Sequence, residues 1–117
     1  MHDGTYVYEP RRHALRTVND EDIRAATGMQ DFVGAAPVNP IFVAHLARMD
    51  VQDRTEQRFY SAIDTGVIAQ NVYLFCASAG LATVVRGLVD RKQLAKVSRL
   101  RPEQRVIVAQ SIGFPAA

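Results

Sequence analysis

The stretch Arg58–Gly80, RFYSAIDTGVIAQNVYLFCASAG, constrains this chain more than any other. Its apolar residues lie nearly all round a helical repeat, the pattern of a helix packed inside a core. Gly80 supplies a C-cap. Its polar residues are ordered: Asp64, Asn71 and Ser78 recur every seven residues, close to two turns, and form one narrow stripe. Gln70 sits beside that stripe on another side. The stripe is either the wet edge of a buried helix or a functional or subunit contact. Gly66 costs about 1 kcal/mol relative to alanine inside a helix, and close approach by a second backbone would explain it. This helix is the centre of the chain, and the other segments are read around it.

With 117 residues the chain suits one domain, read as a single unit over 1–117. Hydrophobic content of 48% and charged content of 22% are ordinary globular values. A formal charge of +2 and a pI near 9.0 leave only a slight cationic excess, a weak pointer to nucleic acid or anionic membranes. One cysteine, Cys76, excludes a disulfide framework within the chain, and its setting in LFCAS reads as a small buried hydrophobe. MHDGTYVYEP lacks the apolar region of a signal peptide. Asp64, Gln70 and Asn71 interrupt the longest apolar run, which argues against a membrane span. The expectation is a reduced, cytoplasmic protein without membrane contact.

TYVYEP alternates and is rich in aromatic and β-branched residues, so it predicts a strand stopped at Pro10. HALRTV predicts its partner across a hairpin turn. Asn19 or Asp20 then offers an N-cap for a short helix over DEDIRAAT, closed by Gly28. MQDFVGAAPVNP reads as a loop. IFVAHLARM begins with an unbroken apolar run that suits a strand buried on both faces. DVQDRTEQ is polar and leads into the long helix. Beyond Gly80, LATVVRG reads as a strand, DRKQLAKVSRL as a short helix capped by Asp90, and Arg105–Ile112 as a last strand. This alternation points to an α+β or three-layer α/β domain.

The chain carries no P-loop, no dinucleotide fingerprint and no zinc spacing, and no metal ligand set is assigned. The histidines, His2, His13 and His45, are far apart, and His45 reads as a packed strand residue. Arg86, Arg91, Lys92, Lys96, Arg99, Arg101 and Arg105 form the one conspicuous basic group, read first as a solvated helix face. A nucleic-acid surface is the sharper alternative. It ranks last, because VIVAQSI after Arg105 is strand-like and supplies no recognition helix.

DTGVIAQNVYLFCASAGLATVVRG, followed by a short helix and RVIVAQSIGFP, resembles the C-terminal half of the FMN-dependent nitroreductase family. The residues that carry the likeness are Asp64, Gly66, Gln70, Asn71, Gly80, Leu81, Gly87 and Gly113 to Pro115. YVYEPRRHAL and ATGMQDFVGAAPVNPIFVAHLARM further resemble the branch of thiazole- and oxazole-peptide dehydrogenases. The resemblance implies an α+β, three-layer α-β-α sandwich, an intertwined homodimer, and FMN at the subunit interface. It implies electron flow from NAD(P)H, or from a peptide or small-molecule donor, through the flavin. In that family the strand after the Gly-Leu turn brings main-chain amides to the ring near its N5, which falls here on Val85, Arg86 and Gly87. Gln70 and Asn71 are further cofactor-binding candidates through the motif, with helix packing as the competing role. No catalytic acid or base is named.

The family's Arg-x-Ser-x-Arg phosphate motif does not occur in these 117 residues, and Met1 stands shortly before TYVYEP as in a separate gene product. The leading expectation is therefore a truncated oxidoreductase half that binds FMN weakly or not at all alone and needs an N-terminal half. The second is a flavin-free binding or structural module of the same fold, pairing through its long helix. Both imply a homo-oligomer or a complementary polypeptide as partner.

Overall fold

A computed structural model describes residues 4–116. Thr5–Glu9 (β1) and Ala14–Asn19 (β2) form an antiparallel hairpin, as their alternation predicts. Its turn closes through the Arg12 N–H on Glu9 O and the His13 N–H on Pro10 O, with His13 left-handed at φ 47°. Arg16 Nε donates to Glu9 Oε1 at 2.8 Å across the strands. Val7, Tyr8 and Leu15 stay exposed, while the end of the hairpin at Thr5 and Asn19 is the part covered.

The main sheet is antiparallel, in the order Ile41–His45 (β3), Gln104–Gly113 (β5), Ala82–Arg86 (β4). Long β5 takes the centre. The pairing moves from Phe42↔Val108 to Val43↔Val106, so Ile107 is an extra residue in a bulge. The bulge sorts the side chains. Val106 and Ala109 pack with Val89 and Leu94 on one face, whereas Ile107 and Val108 line a cleft on the other. β3 is an edge strand with Val43 exposed, so the expectation of burial on both faces fails.

Arg91–Val97 (α2) lies on the first face, capped by the Asp90 side chain accepting from the Gln93 N–H. Its Leu94 is fully buried. Arg54–Ala79 (α1) lies on the second face, where Gln110 Nε2 of β5 reaches Ala69 O. A sheet between helices on its two sides is the expected α-β-α arrangement. Asp53 caps α1 by accepting from the Glu56 N–H at 3.0 Å, and Gly80, at φ 72°, ends it. No helix among the described residues is long and apolar enough to cross a membrane.

Two expectations about helices are corrected. DEDIRAAT forms only a single 3₁₀ turn, Arg24–Thr27, and no side chain caps it. Asn19 Oδ1 and Asp22 Oδ1 instead accept from N–H groups two residues on, the local competition that breaks short helices. Gly28 is extended there and not a left-handed cap. α1 is also no core helix. Its buried residues are Gln57, Ser61, Thr65, Ala69 and Cys76, and nearly every large apolar side chain on it is exposed. The small side chains let the helix sit close to the sheet, and the polar ones are satisfied locally: Gln57 Nε2 on Val51 O, Thr65 Oγ1 on Ser61 O. Three strands cover only one side of α1. Asp64, Asn71 and Ser78 lie exposed on it, and a Cβ at Gly66 would meet open space, so no backbone among the described residues approaches there.

Candidate functional site

Among the described residues β4 pairs with β5 along one edge only, which leaves the other edge of Val85 and Arg86 without a strand partner. The Val85 N–H is directed away from β5 and donates to the Tyr73 hydroxyl of α1 at 2.8 Å. Val85 pairs with Gln110, and its side chain faces α1. Between α1 and the sheet is a cleft of about 350 Å³ lined by Gly66, Gln70, Tyr73, Val85, Ile107 and Val108, among others. Beyond the strand, Gly87 is exposed, and a Cβ placed on it would find no atom within 4 Å. The peptide at 85–87 is therefore not enclosed by packed hydrocarbon.

The structure brings Gln70 and Val85 into one cleft, with Gly87 at the end of the same strand. Asn71 is one helix position away from Gln70, exposed, and not part of that lining. Gln110, not itself part of the lining, is fully buried with its Nε2 on Ala69 O. Its Oε1 has no partner among the described residues.

Arg86 behaves differently from its neighbours. Strand alternation turns its side chain to the opposite face, where it is only 4% exposed. Read as one of a solvated basic group, Arg86 is misplaced: burial removes it from that surface. Its Nε donates to Ser111 Oγ at 2.8 Å, and Nη1 to Thr27 O at 2.7 Å. Nη2 donates to Asn39 Oδ1 at 2.9 Å and to Thr27 Oγ1 at 3.1 Å. The Ser111 hydroxyl also donates to Asn39 Oδ1 at 2.6 Å, and Asn39 Nδ2 donates to Val33 O at 2.9 Å. The Phe32 ring lies 6.0 Å from the guanidinium carbon. Every acceptor is an uncharged group. Burial lowers the Arg86 pKa from its ordinary value, yet an arginine remains charged at any pH proteins tolerate. One side chain thus ties β4 and β5 to the segment from Thr27 to Asn39.

Local patterning did not disclose Thr27, Asn39, Ser111 or Tyr73 as partners, since each lies at least 12 residues from what it holds. Gly28 is the nearest thing to a signal. A Cβ there would run into Arg86 Nη1 and press on Val33 Cγ1. Gly28→Ala is expected to cost about 1–3 kcal/mol, the usual toll of overpacking, by displacing the guanidinium. Urea unfolding of the variant reads this directly, and an unchanged midpoint would show the fork to be slack.

The histidines form no catalytic pair with a serine among the described residues. His13 Nδ1 is 2.7 Å from the Tyr8 hydroxyl, and His45, largely buried, sits 3.8 Å from Glu103; His2 lies outside the described residues. His45 and Asp64 line a second cleft of about 290 Å³ between β3 and α1, where Ser61 donates to the sulfur of Met49. Cys76 is 1% exposed, in keeping with a packing role.

Comparison with known proteins agrees with this fold. The model described as "Nitroreductase family" matches residues 4–114. The crystal structure of a protein of Ralstonia eutropha JMP134, titled a nitroreductase, superposes with a TM-score of 0.90 at 43% identity, covering 98% of this chain and 55% of that one. A Methanocaldococcus jannaschii protein that carries the nitroreductase name is 29% identical over 86% of this chain and 53% of its own length. The NADPH:FMN oxidoreductase of Vibrio harveyi, solved with NAD+, gives a TM-score of 0.68 at 27% identity over 81% of this chain and 45% of that one. The chain spans about half the length of the relatives it matches. Fold, motif order and family match converge, and the chain belongs to the nitroreductase family.

Proposed function

We propose that this chain supplies the ring-binding portion of an FMN-dependent oxidoreductase that takes hydride equivalents from NAD(P)H or from a peptide or small-molecule donor. The observation that carries it is the free edge of β4, with the Val85 N–H turned outward and Gly87 bare at its end. A planar ring can lie against main chain only where side chains are withheld, and glycine withholds one. The residues fit the ring: Val85, Arg86 and Gly87 would present main chain to its edge, and Gln70 lines the adjoining cleft. Asn71 is left to the exposed stripe, where a partner polypeptide would meet it.

Flavin, when bound, supplies the two-electron chemistry; the protein supplies orientation. Tyr73 restrains Val85, and its hydroxyl must give way if a ring takes that N–H. The phosphate end lacks an equivalent fit, because the Arg-x-Ser-x-Arg motif is absent from these residues, and charge-assisted donors dominate phosphate binding. Weak FMN binding by the isolated chain follows. The proposal includes a partner, either a second copy or a complementary N-terminal half, covering the apolar outer side of α1. The hairpin and the segment after it support the thiazole/oxazole-dehydrogenase branch, with a peptide as donor, through the residues quoted above. A flavin-free module of the same fold is the second reading. Its support is the Tyr73 hydroxyl already engaging the Val85 N–H.

The test is Gly87→Val. With open space around position 87, the substitution is expected to leave the unfolding midpoint nearly unchanged. It is expected to weaken flavin binding at least tenfold, in the chain alone or with an N-terminal half added. Unaltered flavin affinity in this variant sinks the ring site. Tight one-to-one FMN binding by the isolated wild-type chain sinks the account of the phosphate end.

A further inference from the structure

We infer that the Arg86 guanidinium acts on the bound ring through its uncompensated charge, biasing the β4 site toward the anionic, reduced form of the ring. This rests on the reading of β4 as the ring-binding strand.

Four features carry it. The guanidinium is buried, and its partners are Thr27, Asn39 and Ser111, all uncharged. Buried arginines are ordinarily paired with carboxylates, because an isolated charge is costly to desolvate. Here the cost is met with hydrogen bonds alone, which satisfy the donors and leave the net charge intact. The charge belongs to the residue between Val85 and Gly87, so the main chain that would meet the ring also carries the cation. The fork is held at three nitrogens, and it cannot swing out to water.

A ring that takes up two electrons and one proton gains one negative charge. A fixed cation favours that form over the neutral one. For any ring edge lying within roughly 10 Å of the guanidinium, Coulomb's law at an effective dielectric near 20 would give a preference on the order of tenfold. The same positive field would favour other planar anions at this strand edge over their neutral counterparts.

Asn39→Asp separates charge from scaffold. The side chain is nearly isosteric, still accepts from Arg86 Nη2 and Ser111 Oγ, and neutralises the site; it loses the bond to Val33 O and sets an acceptor against that carbonyl, a local cost that falls equally on both forms of the ring. Lumiflavin, a ring without a phosphate, is titrated anaerobically at pH 8 into the full chain in its oxidised and dithionite-reduced forms. Wild type is expected to bind the reduced form more tightly. Asn39→Asp and Arg86→Gln are expected to cut that ratio about tenfold, and Arg86→Lys, which keeps the charge but loses the fork, to retain it. A ratio unmoved in Asn39→Asp, or lowered as much in Arg86→Lys as in Arg86→Gln, overturns the inference and leaves the ring site standing. Wild type that binds neither form, with an N-terminal half added as well as alone, overturns the ring site, and the inference with it.

Discussion

Arg86→Met is expected to destabilise this chain by about 3–5 kcal/mol, the range for breaking a buried charged network by removing one partner. Methionine fills much of the space and tolerates an irregular site, so the loss is not chiefly a cavity. It comes from the acceptors left behind. Thr27 O, Thr27 Oγ1 and Asn39 Oδ1 all receive hydrogen bonds from the guanidinium, and Thr27 is 2% exposed. Each buried group stranded without a donor costs about 1–3 kcal/mol. The Ser111–Asn39 bond survives and limits the damage. Since whole domains are stable by only about 5–15 kcal/mol, the variant should approach the edge of folding. Its urea midpoint should drop sharply with little change in slope. A loss under about 1 kcal/mol would mean that water replaces the guanidinium without penalty and that this network is not what fastens the Thr27–Asn39 segment to the sheet.

The chain should associate in solution at micromolar concentration, and Val67→Glu with Leu74→Glu should abolish that association. Both side chains are 60% exposed on the side of α1 turned away from the sheet, near Ile63 on the same face. With Phe59, Tyr60 and Phe75 they leave six large apolar side chains exposed on one helix, and a contiguous apolar patch of that kind marks an interaction surface. Burying a valine or leucine side chain is worth about 1.5–3 kcal/mol. Losing two, and forcing carboxylates into the contact, should weaken association by at least about a thousandfold. Neither residue is buried within the chain, so the melting temperature of the dilute variant should hardly move. Sedimentation velocity of both proteins checks this. A wild-type chain that stays monomeric at high concentration, or a double variant that associates equally well, would remove α1 as the pairing surface.

These two expectations differ in how far the sequence announced them. The apolar residues of α1 are plain in the one-dimensional pattern, and so is the need to bury them. The side of the helix that the chain itself covers is not. Helical periodicity reports the apolar positions, and on α1 they occupy both sides. Contact with a sheet selects the stripe of small side chains at Ser61, Thr65, Ala69 and Cys76, because close approach of backbones is worth more there than bulk. Arg86 was legible as a charge but not as a buried one. Its burial follows from alternation along β4 and from the arrival of Thr27 and Asn39, which lie 59 and 47 residues away.

Among the candidate ring contacts, Val85 and Gly87 came from motif position, and their free edge came from β4 being last in the sheet. Gln70 and Asn71 are adjacent in sequence and part company on the helix, where one position is a turn of about 100°. Tyr73 and Gln110 had no signal of their own.

The local grammar of this chain was written in its residues. Strand alternation in β1 and β2, the Asp53 and Asp90 caps, the left-handed Gly80 and the order of elements all depend on neighbours within about five positions. The covered side of α1, the bulge at Ile107 that divides β5 between two faces, and the lodging of a cation among neutral acceptors were decided only when distant segments met. Those features are set by which surfaces can approach closely enough to exclude water, and spacing along one strand or helix does not encode that.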